Sequence, residues 1–263
     1  KTYGWAKNAK IFSVKLNGLQ GSSDPNVGIS VADMADVIIG WHNAKPVDPA
    51  TGAKRPTVVN HSWGYLRRYN TVTNLTYRSH KIDVSGGDDF GNFIAADTGS
   101  VEYQKGSSPY DDEAHIVGNI DSSENAGGLE QKALSSETGP GVSIYAPGTD
   151  IMSAMSTTNA FGATTINNPY PTNSAFLINN IGGTSMASPQ IAGVLALWLQ
   201  INPDATPAQA KAFISTTANT AKIYDTASAV DYTNTRSLLG GNNRFAFNKF
   251  NSNVQLRLGK PVA

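Results

Sequence analysis

Apolar positions along the chain fall into short, well-bounded runs. Ile11-Phe12-Ser13-Val14-Lys15-Leu16 alternates apolar with polar or small residues, the period of a strand. From Ser30 the period lengthens, and Val31, Met34, Ala35, Ile38 and Trp41 recur at helical spacing, with Ser30 placed as a cap and Asp33 in the first turn. Pro46, Pro49 and Gly52 mark a surface loop, after which Thr57-Val58-Val59-Asn60 is β-branched enough to predict a buried strand. Strand, helix and strand in that order imply a parallel pair with the helix packed across one face.

From Tyr65 to Asp112 the chain is polar, rich in Gly, Ser, Asn and Asp, and predicts neither a helix nor a buried strand. So long an unpatterned stretch inside a compact domain points to a functional excursion or to a misread element. Pattern returns in two strands, Ala114 to Ile120 and Val142 to Ala146, the second ending at Pro147-Gly148. Ile151 to Met155 and Ala175 to Ile181 flank a polar loop and predict a hairpin. Thr184 to Gln200 is the strongest helix, and Thr206-Pro207 opens another, with Thr as cap and Pro at the first helical position. No internal repeat and no clean linker divides the chain.

Composition narrows the function classes. Of 263 residues, 40% are apolar and 15% charged, against roughly 25% charged in ordinary soluble domains. Gly, Ser, Thr and Asn fill the difference, which describes a globular, loop-rich chain. Twenty basic residues balance twenty acidic ones, so nothing favours nucleic acid or another polyanion as a partner. The absence of Cys excludes disulfides, thiolate zinc sites and a cysteine nucleophile. The longest apolar run, Ile191 to Leu199, is far short of the about 20 residues that span a bilayer, so no membrane span is expected. Lys1 opens the sequence without an initiator Met or a leader-like pattern, so the original start is expected to have been removed.

Candidate chemistry concentrates at Gly182-Gly183-Thr184-Ser185-Met186-Ala187-Ser188-Pro189, which joins a short apolar run to an apolar helix. A serine there sits among unpaired backbone N–H groups at the positive end of the helix dipole. Its hydroxyl can attack a carbonyl while a neighbouring amide stabilises the oxyanion. The glycines allow a substrate backbone close, and Pro189 lies in the first turn, where a missing N–H costs little. Cap pattern alone would favour a plain helix cap.

The wording Gly183-Thr184-Ser185-Met186-Ala187-Ser188-Pro189 resembles the nucleophile signature of the subtilisin-like serine proteases. Further resemblances follow in family order. Asn8 to Lys15 is similar to the strand after the catalytic-histidine helix, and Asn60-His61-Ser62-Trp63-Gly64 to the strand whose edge binds substrate. Ile116 to Ser123 and Val142 to Gly148 resemble two later segments. The resemblance implies an α/β fold in three layers, a mostly parallel sheet with helices on both faces. It implies one catalytic domain over residues 1–235, incomplete at its N-terminal side, and a C-terminal extension over 236–263. By it, Ser185 is the acyl-forming nucleophile, and Ser62, Trp63 and Gly64 line the pocket for the residue before the scissile bond of a polypeptide substrate. No cofactor is required for that chemistry. Structural calcium is left open, because Asp88-Asp89 offers too few carboxylates for a metal site.

The sequence also departs from the family. A nucleophilic serine needs a base, and the base a carboxylate to orient it. In this family both lie upstream of the stretch that Lys1 begins, and neither motif is present. The Asp and His are expected on a missing N-terminal segment or a second chain, beside an open edge near Ile11 to Leu16 with exposed apolar side chains. Asp97-Thr98-Gly99 has the letters of the acid motif at the wrong place in the order and is taken as a turn. His42, His61, His80 and His115 are each taken as surface or satisfied histidines, His42 as one suited to a helix C-terminus. The family's helix and its central strand ending in the oxyanion-hole Asn are also illegible. That points to residues lost between Tyr65 and Asp88, with Arg78 to Ser79 as the junction, or else to Asn92 as the oxyanion candidate. Gly128 to Gly139 and Gly240 to Phe250 are similar to subtilase-like phage proteins, so a non-catalytic structural or virion protein is the rival to a secreted endopeptidase. An esterase is a third reading, without the Gly-x-Ser-x-Gly elbow.

Overall fold

The structure, a computed structural model, describes residues 5–14, 31–62, 74–77, 80–83, 94–96, 99–101, 114–134, 136, 142–155, 168–225, 236–238 and 241–246. The chain divides into two compact units, Lys1–Val59 with Gly193–Thr206, and Asn60–Ala192 with Pro207–Ala263.

In the first unit, helix α1 (Val31–Ala44) forms where the apolar period places it and buries Met34. The loop after it is tied back to its last turn. His42 Nδ1 and Lys45 Nζ each lie 2.7 Å from Thr57 Oγ1, and Lys45 Nζ sits 5.0 Å from the Trp41 ring centre. The expected strands at 11–14 and 57–59 do not form, which corrects the strand-helix-strand reading. A strand exists only where a neighbour's N–H and C=O groups complete its ladder, and among the described residues none pairs with these. Their apolar side chains stand in solvent accordingly: Ile11 is 89% exposed, and Phe12, Val14 and Val59 are also exposed. Lys15 and Leu16 lie outside the described residues.

In the second unit, the polar span holds two short antiparallel pairs, β1 (Asn74–Tyr77) with β2 (His80–Asp83) and β3 (Ile94–Ala96) with β4 (Gly99–Val101). Tyr77 pairs with His80 across the Arg78–Ser79 junction, which itself lies outside the described residues, as do Asp88, Asp89 and Asn92. The span was expected to hold neither a helix nor a buried strand, and it holds these four short strands. These strands are three or four residues long, too short for a periodic window to detect.

The main sheet takes its strands from distant parts of the sequence. Strand β5 (Val117–Ala126) turns back into β6 (Leu129–Lys132), and β7 (Ile144–Pro147) runs parallel to β5, with Val117 opposite Ile144 and Ile120 opposite Pro147. A separate sheet is built on β8 (Ile151–Met155), β9 (Asn168–Tyr170) and β10 (Asn173–Ile181), with Leu177 to Ile181 antiparallel to β8 as the sequence predicts. Helix α2 (Thr184–Ile201) buries Ala187, Ile191 and Val194, an i, i+4, i+7 stripe. Helix α3 (Pro207–Thr217) starts with Pro at its first position and buries Ile214. Strands β11 (Asn219–Thr220) and β12 (Arg244–Phe245) complete the main sheet in the order β11-β12-β7-β5-β6. It is mixed, parallel on both sides of β7 and antiparallel at its flanks.

Ile120, Val142, Tyr145, Ile223 and Leu238 form the core over this sheet, with Phe245 packed against them. Asp225 Oδ1 accepts from the Ser237 hydroxyl at 3.0 Å and the Leu238 N–H at 3.3 Å, fixing the late segment in place. The proposed boundary at 235/236 falls at the end of 226–235, which lie outside the described residues. The architecture is α/β, and among the described residues no helix is long and apolar enough to cross a membrane.

Candidate functional site

Ser185 occupies the second position of α2, and the chain enters that helix through Gly182 and Gly183. Gly183 has φ of +143°, a backbone state that a side chain would strain, and its carbonyl caps the helix by accepting from Met186 N at 3.0 Å and Ala187 N at 3.3 Å. The entry turn is pinned from below, because Gly183 N donates to Gly148 O at 2.7 Å. Gly148 must itself be glycine, since a Cβ there would lie 2.6 Å from Gly183 O and overlap the Asn119 carboxamide. The Pro147-Gly148 end of β7 thus positions the nucleophile turn.

Ser185 is exposed, and among the described residues its hydroxyl makes no hydrogen bond. Its backbone N–H, at the second helical position, has no acceptor within the helix. Ser62 Oγ donates to the Ser185 carbonyl at 3.0 Å, so the predicted pocket segment and the predicted nucleophile meet. Asn60 supports both, its Nδ2 donating to Ser62 Oγ at 2.9 Å and its Oδ1 accepting from Ser188 Oγ at 2.7 Å. Trp63 and Gly64 lie outside the described residues. Sequence reasoning assigned no role to Asn60 or Ser188, because they are 128 positions apart and no local pattern links them.

A cleft of about 350 Å³ opens beside the entry turn, lined by Asn119, Asp121, Ala133, Leu134, Thr149 and Gly182-Gly183. Asn119 is buried, with Nδ2 3.3 Å from Thr149 Oγ1 and Oδ1 without a hydrogen-bond partner among the described residues. A buried carboxamide inside an apolar strand is costly unless its polar atoms are met, and Asn within Val117-Gly118-Asn119-Ile120 was the available signal. Asp121, on the wall of the cleft, lies 3.6 Å from the Arg236 guanidinium in a largely buried ion pair.

Burial lowers the pKa of His42, with Lys45 and Lys54 adding to the effect. Burial lowers that of His61. His115 is pushed down to about 4 by burial, with Lys211 and Arg244 adding to the effect. Its Nδ1 is 3.5 Å from Ser143 Oγ and its Nε2 is unmet among the described residues. His80 lies on β2. Among the described residues no group of three or more His, Cys, Asp or Glu is placed to hold a metal ion.

Comparison with known proteins matches residues 2–246 to the model of the subtilase family. An extracellular protease of Xanthomonas campestris pv. campestris is 29% identical over 222 residues, covering 82% of this chain and 32% of that protein. Subtilisin-like protease 5 of Arthroderma benhamiae is 32% identical over 201 residues, covering 74% of this chain and 39% of that protein. Among solved structures, a cold adapted subtilisin-like serine proteinase is 25% identical with a TM-score of 0.34, covering 52% of this chain and 37% of that one. The chain therefore spans well under half the length of these relatives.

Proposed function

Because this chain belongs to the subtilase family, we propose that it is part of a secreted serine endopeptidase that forms its acyl-enzyme at Ser185. The observation that carries this reading is the exposed Ser185 at the start of α2, with its N–H open and the 60–62 segment hydrogen-bonded beside it. In the reaction, Ser185 Oγ gives its proton to a histidine and attacks the scissile carbonyl. The Ser185 N–H helps hold the oxyanion, the C–N bond breaks as the amine takes the proton, and water then hydrolyses the ester. An extended polypeptide would pair with the backbone beside Ser62, Trp63 and Gly64, gaining main-chain hydrogen bonds as strand-adding ligands do. No cofactor takes part in these steps. The extracellular relative supports secretion.

The base and its orienting Asp come, in this reading, from a preceding segment or a second chain. The exposed Ile11, Phe12, Val14 and Val59 support it, since large apolar side chains left in solvent suit a surface that another element covers. Fluorophosphonate labelling of the protein as isolated from its source tests the reading. Ser185 should be phosphonylated, and Ser185→Ala should abolish both labelling and casein cleavage. The 263-residue chain by itself should be inert, because loss of the base and acid removes nearly all activation of the nucleophile. Well-folded source protein that stays unlabelled across pH and calcium conditions would favour a non-catalytic role.

A further inference from the structure

Helix α2 contains a proline four residues after the candidate nucleophile. In an α-helix the carbonyl of Ser185 would accept from the N–H of residue 189, but Pro189 has none. The hydroxyl of Ser62 takes that place, at 3.0 Å. Ser62 has a single hydroxyl hydrogen, so what it accepts and what it donates are linked. Its Oγ accepts from Asn60 Nδ2 at 2.9 Å, and Asn60 Oδ1 accepts from Ser188 Oγ at 2.7 Å. The three bonds run head to tail from Ser188 through Asn60 and Ser62 to the Ser185 carbonyl, leaving and rejoining the first turn of α2. Reversing the carboxamide would present Oδ1 to Ser62, draw the hydroxyl hydrogen toward it and leave the Ser185 carbonyl without a donor.

We propose that Asn60 is a positioning residue: it aims the Ser62 hydroxyl at the carbonyl that Pro189 leaves open, and so fixes the Ser185 peptide relative to the substrate-binding segment. The inference rests on Ser185 being the nucleophile. Its physical content is that displacement of the nucleophile by a fraction of an ångström reduces the reactive geometry while leaving ground-state binding intact. Asn60 acts through Ser62 and touches no reacting atom.

The test uses Asn60→Asp in the source-isolated protein. The carboxylate accepts from Ser188 and Ser62 alike, which pulls the Ser62 hydroxyl off the Ser185 carbonyl with little change in size. We expect about a tenfold fall in kcat and in fluorophosphonate labelling rate, with KM within about twofold and an unchanged melting temperature. Adding Pro189→Ala returns an N–H at the position four residues on and should recover most of the loss. In a Ser62→Ala background, Asn60→Asp should add almost nothing, because the group it redirects is absent. A wild-type protein that labels, with an Asn60→Asp variant that labels equally fast, overturns the positioning role alone. A loss that Pro189→Ala leaves unrepaired also overturns it. A folded wild-type protein that never labels overturns the nucleophile reading and the positioning role together.

Discussion

Two pairs of segments in this chain carry similar apolar patterns and have opposite fates. Val117 to Ile120 and Ile144 to Pro147 are parallel neighbours, and Ile120, Ile144, Tyr145 and Ala146 are almost wholly removed from water. Ile11 to Val14 and Thr57 to Val59 have comparable β-branched and aromatic content, yet carry no ladder and leave Ile11, Phe12, Val14 and Val59 exposed. Strand propensity therefore states what a segment tolerates, and the presence of a neighbour and a covering layer decides what it becomes. The main sheet obtains those neighbours from far along the sequence, since Tyr145 of β7 is flanked by Gly118 on one side and Phe245 on the other.

The sharpest way to break the comparison is to remove packing from the covered pair. Tyr145 is 0% exposed and lies in the cluster with Ile120, Val142, Ile223 and Leu238. Tyr145→Ala should cost about 3–5 kcal/mol, the usual range for truncating a large buried side chain, measured by urea denaturation. A cost under about 1 kcal/mol, the scale of a surface change, would mean that this sheet is not the core.

Acid should loosen the same unit next. His115 is held neutral with a folded pKa of about 4, against about 6.5 in an unfolded chain. The unfolded state then binds the extra proton first as pH falls, so the contribution is complete above about pH 6.5 and declines on acidification through about pH 4. The difference is on the order of 3 kcal/mol. On acidification from pH 7 to 4 the wild type should lose stability that His115→Gln keeps, and parallel curves over that range would refute the burial of a neutral imidazole. Burial is the leading cause, with Lys211 and Arg244 opposing the added charge.

The legibility of the molecule followed the range of the interactions. Helix α2, the Thr206-Pro207 start of α3 and the β8–β10 pairing were readable because local period and caps specify them. Ser185 at a helix start was readable for the same reason. The Ser188–Asn60–Ser62 connection was not, because hydrogen bonds between distant residues leave no trace in spacing. Asn119 was read only as part of a strand, although its side chain is among the few buried polar ones. His42 was readable as a histidine closing α1, whereas its bond to Thr57 was not, because it forms only when the following loop folds back.

The smallest expected effect is the most informative about the uncovered pair. Ile11 is 89% exposed, so Ile11→Ser in the 263-residue chain exchanges one solvated side chain for another. Its effect on unfolding free energy should lie within about 0.5 kcal/mol, the usual span for surface substitutions away from special features. The same substitution in the source-isolated protein addresses the covering element. If a strand lies against residues 11–14 there, Ile11 is buried, and its loss should cost roughly 1.5–3 kcal/mol, the worth of a large apolar side chain withdrawn from water. The pair of measurements separates two explanations of the exposed face that the chain by itself does not distinguish. A large cost only in the source-isolated protein places another element on this face. A negligible cost in both would make the apolar run a surface feature, and would remove the support that Ile11, Phe12, Val14 and Val59 give to a base supplied from outside these 263 residues.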